Sequence, residues 1–400
     1  MRPLTRLCAA SVLVWLASTI AAGAEMRGVT ATDIRIGQTM PYSGPVSAFG
    51  ALGKGELGYF RMLNEKGGIN GRKVNLISLD DGYAPPKTVE QTRRLVESEE
   101  VALIFSSIGT AHNTAIAKYL QGKNIPQLFL ASGASKFSDI AQYPQATMGV
   151  QAPFRYEARL YARYALLKNP DAKFAVISQN DDYGRDYLLG LKDVLGDRYD
   201  SVVTGVTYEI SDPTIDSQIV KLKASGADVF IIAATPKFAA QSIRKAYEIG
   251  WRPLTFLSNV AVWISTVMQP AGLDASTGIL STAYVKDPDD PSWADDPGVR
   301  EWHAFMVKYV PDADLHDTNY VNAYNSAMAL VAVLKACGDD LSTENILKQA
   351  FSIHDLELPM LLPGIRINTS PTDHVPVDQM QFMRFNGKTW ERFGDLQTGN

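Results

Sequence analysis

Short apolar runs alternate with longer amphipathic stretches along most of the chain. In the first third, four such runs predict strands, at 34–40, 74–80, 102–106 and 126–131. The stretches between them predict helices, one near 50–65 and one that begins at Pro85, because proline fits the first turn of a helix. Buried strands that alternate with helices are typical of parallel sheets, so this block predicts one doubly wound α/β lobe.

A second block with the same alternation starts near Phe154. Its predicted strands and helices are, in order, strand 174–178, helix 184–195, strand 202–208, helix 212–225, strand 229–233, helix 236–249 and strand 254–257. Two later helices, near Trp302 and over 321–336, return to the surface of a lobe. The tail at 381–393 predicts a hairpin that turns at Asn386-Gly387.

The predicted fold class is therefore α/β, with two doubly wound parallel-sheet lobes joined by a hinge. The chain is expected to cross between the lobes near 148–153 and again near 282–288. We assign 25–149 to the first lobe, with a return segment at about 286–362. The second lobe takes 150–285, with a C-terminal segment at about 363–400. Two or three crossings would form a hinge on which the lobes close around a ligand.

The first 24 residues differ from the rest of the chain. Arg2 and Arg6 precede a run of apolar and small residues, which ends in the small-residue sequence Ala22-Gly23-Ala24. This pattern predicts a signal peptide that is cleaved after Ala24, and a soluble protein exported to the periplasm; an uncleaved anchor is the alternative. Cys8 lies at the start of the apolar run, which argues against a lipoprotein anchor. Cleavage would leave Cys337 as the one cysteine, expected to be buried, with no intramolecular disulfide.

Composition and motifs exclude several classes of function. The formal net charge is −5 and no basic stripe is present, so a nucleic-acid partner is not predicted. Gly50, Gly53 and Gly55 have the wrong spacing for a dinucleotide site, and the five histidines are scattered singly. The pair Asp80-Asp81 is better explained as capping a turn than as an acid–base pair. We therefore predict no catalytic residue, no cofactor and no metal.

Four motifs together resemble the leucine/isoleucine/valine-binding family of periplasmic binding proteins. They are the opening strand and loop at 36–45, the sequence Asn-Glu-Lys-Gly-Gly-Ile-Asn-Gly at 64–71, the acidic pair with Pro86-Lys87, and Asn-Asp-Asp-Tyr-Gly at 180–184. The similarity covers nearly the whole mature chain. It implies the type I periplasmic binding fold, with three crossovers, a ligand in the cleft between the lobes, and delivery to an ABC permease in the inner membrane. A monomer is expected.

In the family, hydroxyls and backbone amides of two first-lobe loops hold the ligand carboxylate. Here these loops contribute the candidates Thr110 and His112, and then Ser132, Gly133 and Ala134; the second loop is ambiguous by one position. Both loops lead into predicted helices, whose free N–H groups favour an anion. Plain turns are the alternative for the small residues, and a surface role is the alternative for His112.

The resemblance places further candidates around the ligand body. Phe49 and Tyr183 fall where the family has aromatic residues that face the cleft, and Thr235 and Val260 lie in second-lobe loops. Core packing is the alternative for Phe49, and exposure on a loop is the alternative for Tyr183. The positions of the family's disulfide correspond to Tyr83 and Ile108 here, so that crosslink is absent.

One departure from the family bears on the ligand. Amino-acid binders of the family have an acidic residue after a second-lobe strand, whereas the corresponding loop at 258–263 has none. Because an ammonium without a counter-charge is costly to bury, we predict a carboxylate with an apolar or aromatic body, such as a benzoate or hydroxycinnamate. The alternatives are an amino acid whose ammonium meets Glu157, Glu209 or backbone carbonyls, and a ligand-sensing receptor module. An exported enzyme is disfavoured, and Lys237 is expected to be solvated rather than to bind a second anionic group.

Overall fold

The computed structural model describes residues 26–399, and the predicted signal peptide at 1–24 lies outside the described residues. Within the described range, no helix is both long enough and apolar enough to cross a membrane. The chain forms two sheets, each flanked by helices, as the sequence predicts.

The first sheet has five parallel strands in the order β2-β1-β3-β4-β5. Its strands are β1 (Asp33–Met40), β2 (Lys73–Asp80), β3 (Leu103–Phe105), β4 (Gln127–Leu130) and β5 (Ala146–Met148). The helices that connect them are α1 (Gly50–Glu65), α2 (Pro85–Glu97) and α3 (Thr110–Gly122). Strands β3 and β4 are buried along their whole length, which explains their continuous apolar runs. The short strand β5 has no counterpart among the predicted elements.

The second sheet has seven strands in the order β12-β11-β10-β9-β8-β6-β7. Its strands are β6 (Phe174–Gln179), β7 (Val203–Tyr208), β8 (Val229–Ala233), β9 (Leu254–Leu257), β10 (Leu280–Ala283), β11 (Gln379–Phe385) and β12 (Trp390–Thr398). Its helices are α4 (Phe154–Lys168), α5 (Asp182–Leu195), α6 (Tyr199–Val202), α7 (Asp216–Ala224), α8 (Pro236–Glu248), α9 (Gln269–Ala271) and α10 (Leu273–Ser276). The pairs from β10 to β7 are parallel, and β11 and β12 form the predicted antiparallel hairpin at the sheet edge.

Three further helices follow β10: α11 (Pro297–Tyr309), α12 (Asn319–Ala336) and α13 (Thr343–Ala350). Helices α11 and α12 pack against α1, so this segment returns to the first sheet. Trp302 and Tyr324 are buried there. Cys337, at the end of α12, is free and buried, as expected.

Two predicted elements differ from the structure. The helix predicted at 212–225 begins only at Asp216. The residues before it form a turn, in which the Asp212 side chain accepts a hydrogen bond from the Glu209 amide and the Thr214 side chain accepts one from the Asp216 amide. The crossing predicted at 282–288 begins inside β10, which pairs with both β9 and β11. The strand β10 is only four residues long and contains Ser281 and Thr282, and this made it hard to recognise as a strand.

The chain passes between the two sheets at three places. They are the segments 149–153 and 284–287 and the approach to β11. Thr369 accepts a hydrogen bond from the Ile353 amide after α13, and the His374 carbonyl accepts one from the Met148 amide of β5. These contacts tie 367–374 to the first lobe, and so we propose that the C-terminal segment of the second lobe begins near 377 rather than at 363.

Candidate ligand-binding cleft

A cavity of about 790 Å³, which includes space open to solvent, lies between the two lobes. Its wall is built from the loops that follow β3, β4 and β9, from the start of α5 and from one face of α12. The residues around it are Phe49, Leu52, Tyr83, Ile108, Gly109, Thr110, Phe129, Ala131, Ser132, Gly149, Val150, Gln151, Phe154, Tyr183, Thr235, Asn259, Val260, Trp263, Tyr284, Asn319, Asn322 and Ser326. In the part of the chain that the structure describes, none of these residues is charged.

Six of the nine residues predicted from sequence lie in this wall, namely Phe49, Thr110, Ser132, Tyr183, Thr235 and Val260. The other three, His112, Gly133 and Ala134, do not. The structure therefore brings the two first-lobe loops and both aromatic candidates to one cavity. Contact with a ligand stays a prediction for every one of them.

The loop after β3 brings Thr110 to the cavity through a turn at Gly109. Gly109 has a φ of 104°, and a Cβ there would lie 2.3 Å from Nδ1 of His112. Glycine is therefore required at this position, since other residues rarely adopt this backbone and the ring leaves no space. The turn directs the start of α3 at the cavity, where no side chain caps the helix.

His112 lies behind the wall rather than in it. Its ring packs against that of Tyr83, with centroids 4.1 Å apart, and Tyr83 faces the cavity. Burial lowers the pKa of His112, which favours the neutral imidazole at pH 7. We infer that His112 supports the wall through Tyr83.

The loop after β4 presents Ser132 and then turns inward. The hydroxyls of Thr110 and Ser132 lie 2.7 Å apart and are hydrogen-bonded to each other. The Ser132 hydroxyl also accepts a hydrogen bond from the Ala134 amide. Ala134 is fully buried, and a Cβ on Gly133 would lie 2.8 Å from the carbonyl oxygen of Ala152. This inward turn explains why Gly133 and Ala134 are not exposed to the cavity.

Aromatic side chains form much of the apolar wall. Phe49 of the first lobe meets Trp263 of the second edge to face, with ring centroids 5.2 Å apart. Tyr183 packs against Phe154 with centroids 4.6 Å apart, and it is 4% exposed. Tyr183 is thus part of the wall and not an exposed loop residue.

The lobes also contact each other at the rim of the cleft. The Lys136 ammonium lies 2.6 Å from the Asp182 carboxylate, and the backbone amide and hydroxyl of Ser135 donate to Asp186. Because Ser135 and Lys136 belong to the first lobe and the two aspartates to α5, these contacts join the two lobes.

Glu157, one of the acids that a ligand ammonium was expected to meet in the alternative interpretation, is buried but does not line the cavity. It accepts hydrogen bonds from the hydroxyls of Tyr161, Tyr187 and Thr282 and from the Asn259 amide. Burial raises the pKa of Glu157 to about 7, and these hydrogen bonds oppose the rise. Its acceptor atoms are engaged by the protein, behind the loop that carries Asn259.

Other charged candidates also lie away from the cavity wall. Glu209 accepts a hydrogen bond from the side chain of Asn180. The Lys237 ammonium donates to the carbonyl of Asp212, 3.3 Å away, and is exposed, in line with the expected solvation.

Sequence reasoning missed the contribution of α12. Asn319, Asn322 and Ser326 are spaced three and four residues apart and therefore share one helix face. A polar stripe on an otherwise apolar helix was the signal that could have found them. Tyr284 and Gln151, on the crossing segments, carry no comparable signal.

Comparison with known proteins agrees with this architecture. The family model described as "Periplasmic binding protein" matches residues 33–389. The Leu/Ile/Val-binding protein homolog 7 of Brucella abortus (strain 2308) is 25% identical over 356 residues, which cover 86% of each chain.

Two solved structures illustrate the shared fold. A branched chain amino acid ABC transporter from Thermus thermophilus with bound valine has a TM-score of 0.80 at 16% identity, over 92% of this chain and 97% of that one. A fatty acid ABC transporter substrate-binding protein from Thermomonospora curvata has a TM-score of 0.75 at 18% identity, over 93% and 94%. The chain belongs to the periplasmic binding protein family, as a type I member of its leucine/isoleucine/valine-binding group, whose members are periplasmic substrate-binding proteins of ABC transporters.

Proposed function

We propose that this protein captures a small carboxylate with an apolar or aromatic body in the periplasm and delivers it to an ABC permease. The observation that carries the proposal is the chemistry of the cleft. Its wall combines an uncapped helix start and two hydroxyls with aromatic surfaces, and no charged side chain lines it among residues 26–399. Ligand capture and release need no catalytic group.

The carboxylate is assigned to the start of α3. The first amides of a helix have no acceptor within the helix, and the helix dipole favours negative charge there. Helix α5 also starts at the cleft, but the Asp181 side chain accepts from the amides of Tyr183 and Gly184. That start is therefore already occupied by a carboxylate of the protein. The Thr110 and Ser132 hydroxyls, 2.7 Å apart, can both turn their protons toward a bound anion.

The apolar body of the ligand is assigned to the aromatic part of the wall. The wall matches the general pattern of small-molecule sites, which are mostly apolar with a few placed polar groups. Phe49, Trp263 and Tyr183 offer ring faces and edges to a planar or aliphatic body. An aromatic acid of benzoate or hydroxycinnamate type suits both parts of the cavity, with its carboxylate at the start of α3 and its ring against the aromatic wall.

A ligand ammonium next to the carboxylate is disfavoured by the same wall. Leaving an ion unpaired in a buried site costs several kcal/mol, even after the protein relaxes. Glu157 cannot serve as the counter-charge without losing the hydrogen bonds that it accepts from Tyr161, Tyr187 and Thr282.

Branched-chain or other amino-acid binding is the second candidate. It is favoured by the name of the Brucella abortus relative, a Leu/Ile/Val-binding protein homolog. Backbone carbonyls and the side-chain oxygens of Asn319 and Asn322 would then have to hold the ammonium. The two candidates differ in a single measurable property, the effect of an α-amino group on affinity.

A thermal-shift screen separates them. A ligand that binds only the folded protein raises the melting temperature. We expect benzoates or hydroxycinnamates to raise it, and leucine, isoleucine and valine to leave it unchanged at the same concentration. A rise with the amino acids and none with the acids would refute the proposal in favour of the second candidate.

A further inference from the structure

A second compartment adjoins the ligand cavity on the side of the second crossing. It encloses about 540 Å³, which includes space open to solvent. Asn259, Trp263, Tyr284 and Asn322 line both spaces and form the partition between them. The first compartment has a neutral wall, whereas the second contains Asp287, Asp289 and His316.

The three aspartates of the loop after β10 differ in their partners. Asp289 lies 2.6 Å from Nδ1 of His316, and Asp290 lies 3.1 Å from the Arg392 guanidinium. Asp287 has no cation within ion-pair distance among the described residues, and its carboxylate accepts the backbone amide of Asp289 at 3.0 Å. Burial raises the pKa of Asp287 to about 6, so the group is ionised at pH 7.5. An ionised, half-buried carboxylate that makes no ion pair is a suitable acceptor for a positively charged group.

Asn259 provides an independent indication that the partition meets a polar ligand. It is 9% exposed, and neither its side-chain oxygen nor its side-chain nitrogen has a hydrogen-bond partner in the described chain. A buried amide without partners costs free energy, and native proteins seldom leave one so. Because Asn259 borders both compartments, a polar group that passes between them would satisfy it.

We propose that the second compartment binds a cationic group at the far end of the ligand, with Asp287 as its acceptor and Asn259 beside the connecting chain. This inference rests on the proposed capture of a carboxylate at Thr110 and Ser132. The ligand class is then an acid with an aromatic or aliphatic body and an amine or guanidine remote from the carboxylate. An α-ammonium, by contrast, is fixed next to the carboxylate and stays in the neutral first compartment.

Calorimetry with three probes tests the inference. They are 3-phenylpropanoate, 3-[4-(aminomethyl)phenyl]propanoate, and the neutral analogue of the same shape, 3-(4-ethylphenyl)propanoate. On the wild-type protein we expect the aminomethyl probe to bind about tenfold more tightly than the ethyl probe, since a hydrogen bond to a charged group is worth at least that much. Asp287→Asn should abolish this preference and leave the affinity for 3-phenylpropanoate within about twofold.

Asp295→Asn is the matched control, because it removes the same charge from a fully exposed side chain near the same loop. It should keep the preference. The inference is wrong if the ethyl probe binds as tightly as the aminomethyl probe, or if the preference survives Asp287→Asn, because the second compartment then does not bind the cation. Carboxylate capture would stand in either case. If none of the three acids binds, carboxylate capture itself is refuted, and the inference with it.

Discussion

The rings of Phe49 and Trp263 meet edge to face across the cleft, with centroids 5.2 Å apart and an interplanar angle of 82°. Phe49 precedes α1 in the first lobe, and Trp263 follows β9 in the second. Both also line the ligand cavity. This one contact therefore joins the two lobes and also forms part of the wall of the ligand cavity. It links affinity to closure, because a ligand that touches both lobes at once stabilises the closed form.

Trp263→Ala should weaken binding of an aromatic acid by about 2 kcal/mol, because large aromatic side chains at the centre of a binding site carry much of its energy. The change removes a cavity wall and the contact with Phe49 together. Calorimetry with a hydroxycinnamate measures the effect. Tyr247→Ala, at a 42% exposed position on α8, is the control and should leave affinity unchanged. An unaltered affinity in Trp263→Ala would show that the ligand does not lie against this wall.

The double substitution Thr110→Val with Ser132→Ala should weaken carboxylate binding by roughly 2 kcal/mol and leave the corresponding primary amide little changed. The two hydroxyls each donate a hydrogen bond to an anion in our account, and bonds to charged groups are the stronger ones. Titrating the acid and its amide in parallel separates a loss of interactions with the carboxylate charge from a loss of fit to the shape of the ligand.

Thr114→Val is the matched control for that pair. Thr114 lies one turn further along α3, and its hydroxyl donates to the Thr110 carbonyl rather than facing the cavity. The Thr114→Val variant should bind the acid as tightly as the wild type does. Equal losses for acid and amide in the double variant would contradict an anion site at Thr110 and Ser132.

The sequence predicted those parts of the cleft that depend on local pattern. Thr110 and Ser132 follow apolar strands directly, so the edge of the sheet to which they belong could be inferred. His112 does not line the cavity, because two residues beyond Thr110 the helix has already turned its side chain behind Gly109. Asn319, Asn322 and Ser326 were missed because their approach to the cleft depends on how α12 packs against α1, a contact between distant segments.

The neutral character of the cavity was partly predictable. The loop at 258–263 has no acidic residue, and this is visible in the sequence. The position of Glu157 is not, because its partners Tyr187 and Thr282 come from other elements, 30 and 125 residues away. Only the structure separates a carboxylate that faces the cleft from one enclosed by hydroxyls behind it.

Asn259→Asp should convert the cleft into one that accepts an α-ammonium. The substitution places a carboxylate in the neutral wall at nearly unchanged volume, and opposite charges favour each other strongly where water is excluded. We expect leucine to gain at least about tenfold in affinity and 4-methylpentanoate to lose affinity, both measured by calorimetry at pH 8. Gln397→Glu adds the same charge at an exposed position on β12 and is the control. No gain for leucine would contradict the claim that a missing counter-charge in this wall is what disfavours an α-ammonium.

Glu157→Gln should change how stability depends on pH. Burial raises the pKa of Glu157 from 4.5 to about 7 in the folded protein, so folding favours its protonated form. The stability that this form provides is complete below pH 4.5 and is lost as the pH rises through 7. Relative to Glu157→Gln, the wild type should therefore lose on the order of 2 kcal/mol of unfolding free energy between pH 5 and pH 8.

Denaturant unfolding at several pH values measures that difference. Glu90→Gln, which removes an exposed carboxylate on α2, is the control and should follow the wild type. Parallel pH profiles for the wild type and Glu157→Gln would mean that Glu157 is equally ionised in the folded and unfolded protein, contrary to its enclosed position.

The proposed ligand class depends most on the absence of a charged side chain from the wall of the first compartment among residues 26–399. Leucine and 4-methylpentanoate differ in the α-amino group alone, so calorimetric titration of the wild-type protein with this pair isolates that group. We predict that 4-methylpentanoate binds more tightly than leucine, by about tenfold or more. Tighter binding of leucine would contradict the account, because the cleft would then stabilise a positive charge that its neutral wall has no carboxylate to neutralise.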